Sequence, residues 1–280
     1  MSGFAPDWLA LREPADVRAR ASGPANGLAT RFIGHAEASV VDLGCGTGSN
    51  LRATSQLLPD RQSWRLVDHD ARLLAAARET LAAWADGAEH HADGTLALTK
   101  GRQRIAVTFA EADLAGDLEG ALGPRADLVT ASALFDLCSP DFIRRFAQSI
   151  AERRSIFYTV LTYNGIQHWT PRRPADNAMT SAFHAHQMRD KGFGPSAGPT
   201  APSHLAEQFN LAGYLVEEGD SPWRLQAPRD KALIDELARG FAEAVAETGK
   251  VDKRTVETWR QIAHTGAETG HTDTLAVPGM

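Results

Sequence analysis

The sequence predicts an α/β domain with a doubly wound, mostly parallel sheet. Three observations predict it. Short β-branched runs alternate with helical segments from residue 39 to residue 161. The first run breaks at a glycine loop, and two later runs end next to acidic residues. A parallel strand needs a crossover, usually a helix, so strict alternation of strands and helices implies a sheet covered on both faces.

The elements follow in order. Residues 6–22 read as a polar, amphipathic helix with Trp8, Leu9, Leu11 and Val17 as apolar members, and 25–35 as a second, short helix. Ser39–Gly44 (SVVDLG) is a buried strand, 49–58 a helix stopped by Pro59, and Trp64–Asp68 a second strand. Residues 70–85 are alanine-rich and strongly helical, and 86–94 (DGAEHHADG) a loop. Thr95–Lys100 and Arg104–Ala110 alternate around Gly101 as a hairpin, the latter serving as the third parallel strand. A short helix at 115–121, a strand at 126–131, a helix at 140–153 and a central strand at 155–161 complete the regular part.

After residue 162 the rhythm breaks. Residues 163–198 hold Pro171, Pro174, Pro195 and four glycines, with one helix near 174–190. A helix at 201–212, a strand at 214–219 and helices at 229–247 and 251–264 follow. Residues 272–277 read as a last strand antiparallel to 214–219, with a 214–219/222–226 hairpin as the competing assignment. The organisation is a helical cap (1–36), a core (37–162), a lid or substrate insertion (163–198), and the end of the core with a helical insertion (199–280).

Asp42-Leu-Gly44-Cys-Gly46-Thr-Gly48 lies between a strand and a helix. Glycines let a ligand approach the backbone, and the following helix N-terminus favours an anion. The dinucleotide fingerprint needs glycine at 49, where the chain has Ser49, and a P-loop Gly-Lys-Ser/Thr is absent. Asp68 ends the second strand, where an acid accepts hydrogen bonds from both ribose hydroxyls. Asp113 ends the third.

VVDLGCGTGSN, RLVDHD, FAEADL and ADLVTASALFDLCS, spanning 39–139, together resemble the class I S-adenosylmethionine-dependent methyltransferases of small-molecule type. The resemblance implies a Rossmann-like sheet of seven strands with an antiparallel last strand, S-adenosylmethionine as cofactor, and methyl transfer as activity. It implies that Asp42, Gly44, Gly46 and Gly48 shape the methionine pocket, with Asp42 alternatively only ordering the loop. Asp68, with the adjacent His69, would bind ribose; Asp113 and the Leu114 backbone would bind adenine. Ala131 and Ser132 would face the sulfonium. WLALREPADVRAR resembles a capping helix, whose Arg20 or Arg18 pairs with the methionyl carboxylate or is a solvated charge.

Methyl transfer requires alignment of acceptor, methyl and sulfur, exclusion of water and, for a protonated acceptor, a base. Asp136 is the first candidate to orient or deprotonate the acceptor, with a turn aspartate as the alternative. Tyr163 and His184 are the other candidate catalytic residues. Tyr163, Asn164 and Trp169 lie just past the fifth strand and line the pocket, with lid packing as the alternative for Trp169. The segment 163–195 carries a net charge of +2 in a chain of −6, through Arg172, Arg173, Arg189 and Lys191. With His168, His184 and His186 it suits an anionic or polyhydroxylated small acceptor.

The negative balance argues against a nucleic-acid surface, as does Ser132-Ala-Leu-Phe135 where base methyltransferases place an Asn/Asp-Pro-Pro-aromatic motif. His184 and His186 point apart on a helix and cannot clasp one metal, and His90, His91 and Asp93 have no nearby cysteine, so no metal is expected. Cys45 and Cys138 suggest no disulfide framework; with no apolar leader or membrane-length run, a cytoplasmic protein is expected. A homodimer stays open. Rival readings are transfer of another group from the same cofactor, a non-catalytic cofactor-binding partner, and a nicotinamide oxidoreductase, which Ser49 disfavours.

Overall fold

The computed structural model describes residues 5–279. Residues 1–4 and 280, included above in the cap and in the last segment, lie outside the described residues. The chain opens with helices α1 (Pro6–Ala19) and α2 (Ser22–Arg31). The expected single helix over 6–22 is two, because Arg20 takes an extended conformation (φ −51°, ψ 131°) and turns the chain.

The glycine-loop unit is β1 (Glu37–Leu43), α3 (Ser49–Thr54) and β2 (Arg61–Asp68). Then come α4 (Ala71–Trp84), β3 (Gly87–His90), β4 (Leu96–Lys100), β5 (Gln103–Glu111), α5 (Leu118–Leu122), β6 (Leu128–Ser132) and α6 (Pro140–Arg153). The second half holds β7 (Ile156–Thr170), α7 (Asp176–Gln187), α8 (Ala201–Leu211), β8 (Tyr214–Asp220), β9 (Trp223–Gln226), α9 (Lys231–Thr248), α10 (Lys253–Arg260) and β10 (Gly266–Pro278).

One sheet runs in the order β3-β4-β5-β2-β1-β6-β7-β10-β8, with β9 also paired to β10. The expected seven strands are its β5-to-β8 stretch. From β5 to β7 neighbours are parallel, and β10 enters antiparallel between β7 and β8. Three strands are additional. β3 replaces an expected loop; β4 is the outer arm of the expected hairpin. β9 pairs with the first half of β10 while β8 pairs with the second, so the competing 214–219/222–226 hairpin does not form.

The sheet separates two cores, and the strands alternate between them. Val40 and Leu66 face the side of Leu28, Trp64 and Leu81; Val41 and Val67 face the side of Phe135, Phe146 and Phe157. Burial on both faces is what continuous β-branched runs require. α6 shows how a helix is fixed locally. The Ser139 hydroxyl accepts from the Phe142 amide at 3.1 Å, Pro140 sits in the first turn, and Phe142, Ile143, Phe146 and Ile150 form its buried stripe.

The 163–198 segment differs from an inserted lid. β7 continues through Thr170 as a sheet member, paired along β10. Proline and glycine suggested a loop, but β10 supplies the missing partner from a distant part of the sequence. Among the described residues no helix is long and apolar enough to cross a membrane.

Candidate functional site

The C-terminal ends of β2, β1 and β6 open on one edge, and the order reverses between β1 and β6. Open α/β sheets bind ligands at that switch point. The loop Gly44–Gly48 leaves β1 there. Gly44, Gly46 and Gly48 all have positive φ (62°, 55° and 77°). A Cβ on Gly46 would meet Leu9 of α1 at 3.0 Å, and one on Gly48 would meet Leu81 at 3.2 Å. Glycine is thus required twice over, by dihedral and by space.

Asp68 is tied to this loop. Its carboxylate accepts from the Gly46 amide at 3.0 Å and from the Asp70 amide at 3.0 Å. These bonds fix both oxygens at the loop edge and leave each with lone pairs for ligand hydroxyls. The His69 ring, largely exposed, lies 3.4 Å from the same carboxylate. Asp113 is exposed, two residues past β5, and its side chain accepts from the Ala115 amide at 3.0 Å; Leu114 is buried beside it.

Asp42 lies beneath the loop with no exposed surface. One oxygen accepts from Asn50 at 2.7 Å and the other has no partner. Burial pushes its pKa up to about 7. A raised carboxylate pKa means that the folded state holds the proton more tightly than the unfolded chain. Asp42 therefore costs stability as pH rises from the unfolded value near 3.8 through about 7. Asp42→Asn is expected to gain on the parent over that window, by about 4 kcal/mol in full. Urea unfolding of both proteins at pH 4.5 and 7.5 checks it; a pH-independent difference would refute it.

The arginines of the cap divide differently from expectation. Arg20 donates to Thr54 at 3.0 Å and to Asn50 at 2.9 Å, bracing α3 from behind rather than lining the crevice. Arg18 pairs with Asp230 of α9 at 2.7 Å. The cation that lines the narrow crevice, together with Leu9, Asp16, Gly44, Gly46 and Ser132, is Arg12. It is held by Asp16 at 2.9 Å, and its guanidinium lies 5.0 Å from the centre of the Trp223 ring. Trp223 in turn donates to Asp16 at 2.9 Å. The sequence signal for Arg12 is present in the cap helix, but its partner Trp223 is more than two hundred residues away.

Two left-handed residues follow, one just past the end of β6 and one in the middle of β7. Ala133 and Leu161 are non-glycine residues at φ 53° and 59°, and the Ala133 amide donates to Val160 at 2.9 Å. Such conformations cost roughly 1–3 kcal/mol each and gather at functional sites. The Leu161 amide is held by Asp273 at 2.8 Å; Asp273 also accepts from Ser221 at 2.5 Å and from the Ala21 amide at 2.9 Å. Asp273 and His271 were missed because HTDTL reads only as strand.

Asp136 sits in a 3-10 turn (Phe135–Leu137), buried, with Oδ1 unpartnered. Burial pushes its pKa up to about 6, moderated by Arg12 and by the Tyr163 amide. The Tyr163 hydroxyl lies 3.0 Å from His184 Nε2, which is also 3.1 Å from the Gly165 carbonyl. A carbonyl only accepts, so Nε2 carries the proton and the tyrosine O–H is free to donate elsewhere. Burial raises the Tyr163 pKa, so that it stays protonated.

Other expectations on this segment are corrected. Trp169 packs against Phe241, Trp259 and His264 in the core, and Asn164 accepts from the Ile166 amide and donates to Thr272 of β10. Arg189 and His186 bind Glu247 on α9, Lys191 reaches His186, His168 pairs with Glu268 on the surface, and Arg172 and Arg173 are exposed. The positive charges of 163–195 do not face the crevice.

No family model matches the chain. No curated protein matches it either. Among solved structures, YcgJ protein from Bacillus subtilis is 12% identical with a TM-score of 0.50, over 92% of this chain and 98% of its own. Haemonchus contortus phosphoethanolamine N-methyltransferase 2, solved with phosphomonomethylethanolamine and S-adenosylhomocysteine, is 14% identical with a TM-score of 0.51, over 100% of this chain and 58% of its own. The chain shares the α/β fold of these structures. In this fold β1, its glycine loop and Asp68 lie at the switch point of the sheet, and β7 and β10 lie on the far side of β6.

Proposed function

We propose that the chain binds S-adenosylmethionine and transfers its methyl group to a small-molecule acceptor. The observation that carries this reading is the bond from the Gly46 amide to the Asp68 carboxylate. It locks a loop of three left-handed glycines to the acid that ends the next strand. A nucleoside carrying a charged amino-acid tail needs both parts, a close backbone and a diol acceptor.

The residues fit the cofactor. Asp68 would hold the ribose hydroxyls, the Gly44–Gly48 backbone the amino-acid end, and Arg12 the carboxylate. Asp113 and Leu114 would flank the adenine. When bound, S-adenosylmethionine supplies an electrophilic methyl group on a sulfonium. α1 covers the crevice with Leu9 and excludes water. Asp136 and Tyr163 offer one acceptor and one donor to the molecule being methylated. Both cysteines are buried and unpaired, which suits the reducing cytoplasm, where we place the reaction.

Thermal unfolding with S-adenosylmethionine, S-adenosylhomocysteine and NAD in separate samples tests the reading. At a hundredfold the dissociation constant, either sulfur ligand should stabilise by about 2.7 kcal/mol, a rise of roughly 5–10 °C. A rise with NAD alone, or with none of the three, would overturn it.

A further inference from the structure

We propose that the acceptor is a small amine, held as its cation by Asp136 against an aromatic wall. This rests on the reading above and deepens it. The first observation is the unpartnered Oδ1 of Asp136, a residue only 8% exposed. A buried carboxylate oxygen without a donor is costly unless something supplies one.

The second observation is the charge around it. The groups bearing on Asp136 are Arg12 from α1 and the Tyr163 amide from β7; the thiol of Cys138 is buried nearby and its pKa is raised. Arg12 is already matched by Asp16, at 2.9 and 3.3 Å. His184 and His271 are both held neutral by burial, His271 with its pKa down to about 3. With Asp136 and Asp16 ionised, Arg12, Asp16 and Asp136 sum to one negative charge, and zwitterionic S-adenosylhomocysteine leaves that sum unchanged. An anionic acceptor would add to it; an ammonium cancels it.

The third observation is the wall itself. Trp223, His271, Tyr163 and Phe183 form a chain of rings with successive centroids 5.3, 6.4 and 5.9 Å apart. Aromatic faces attract cations, as Trp223 already does with Arg12. Tyr163, its O–H left free by His184, donates to a second polar atom of the amine or to solvent beside it.

In the reaction the ammonium gives a proton to Asp136. The nitrogen lone pair forms a bond to the methyl carbon as the sulfur–carbon bond breaks, leaving neutral S-adenosylhomocysteine. The product leaves as the N-methylammonium, and Asp136 passes the proton it took to water. Atoms and charge balance with one proton passed to water.

The test uses matched triplets on one carbon frame, such as 2-phenylethylamine, 2-phenylethanol and 3-phenylpropionate, with parallel aliphatic and indole frames. Binding is measured by calorimetry with S-adenosylhomocysteine present. In frames that bind, the amine is expected to be at least tenfold tighter than the alcohol or carboxylate. Its affinity should rise with pH up to about 6 and then level off, because alkylamines stay cationic there. Asp136→Asn should remove both the preference and the pH step while S-adenosylhomocysteine still binds. Tighter binding of a carboxylate or alcohol, or no amine bound in any frame while S-adenosylhomocysteine binds, overturns the proposal. Failure of S-adenosylhomocysteine itself would instead overturn the cofactor reading.

Discussion

Asp68→Ala is expected to abolish stabilisation by S-adenosylmethionine and S-adenosylhomocysteine. The carboxylate has two assignments: it orders the glycine loop through the Gly46 amide, and it presents lone pairs to the ligand. Alanine removes both. Charge-assisted hydrogen bonds contribute about 1.5–3 kcal/mol each, so loss of two ribose contacts weakens binding at least about a hundredfold. The 5–10 °C rise expected for the parent, from about 2.7 kcal/mol of linkage, should then vanish. Asp68→Asn separates the two assignments. Its amide oxygen can still accept from Gly46, so the ligand-free melting temperature should stay near that of the parent while affinity falls. Equal stabilisation of Asp68→Ala and parent would mean that the ligand lies elsewhere.

Asp273→Ala is expected to cause the largest loss of stability of any single change discussed. Asp273 has no exposed surface and accepts from three groups: the Leu161 amide, the Ser221 hydroxyl and the Ala21 amide. Each buried donor left without a partner costs about 1–3 kcal/mol, and Leu161 is in a left-handed conformation that needs outside support. We expect a fall of about 3–5 kcal/mol in unfolding free energy, and about 10 °C in melting temperature. Asn should be intermediate, because its NH2 would oppose the amide of Leu161 or Ala21. Urea titration of the three proteins checks the order. A loss below about 1 kcal/mol for Ala would show that water replaces the carboxylate.

How far the sequence discloses this molecule depends on where each residue's partner lies. The parallel half was legible because the central residues of its inner strands are buried on both faces and form short apolar runs; Val40, Val41, Leu66 and Val67 carry that signal themselves. α6 was legible because Ser139, Pro140 and the spacing of Phe142, Ile143 and Phe146 are local. β3 was not, since Gly87–His90 is exposed along its length and has no alternation to read. The extension of β7 past Leu161 was hidden because Asn164, Gly165 and Pro171 signal a loop, and only pairing with β10 overrides them. At the site, the glycines and Asp68 follow from the motif, whereas the division of labour among Arg12, Arg18 and Arg20 is decided by Trp223, Asp230 and Asn50. No spacing rule connects those pairs.

The place of β10 also bears on the order of synthesis. Gly266–Pro278 fits between two strands that the ribosome has made earlier, and its Asp273 binds an amide 252 residues upstream. Until residue 278 has emerged, β7 lacks a partner on one edge, β8 has none on either, and the Ala21 amide lacks its acceptor. The glycine-loop half can fold as it is made, but the half built around β10 must wait. Nascent chains should therefore expose sticky strand edges from about residue 170 until β10 has emerged. The sheet beside the crevice is then completed only once β10 has been made, and not while β7 and β8 are being synthesised.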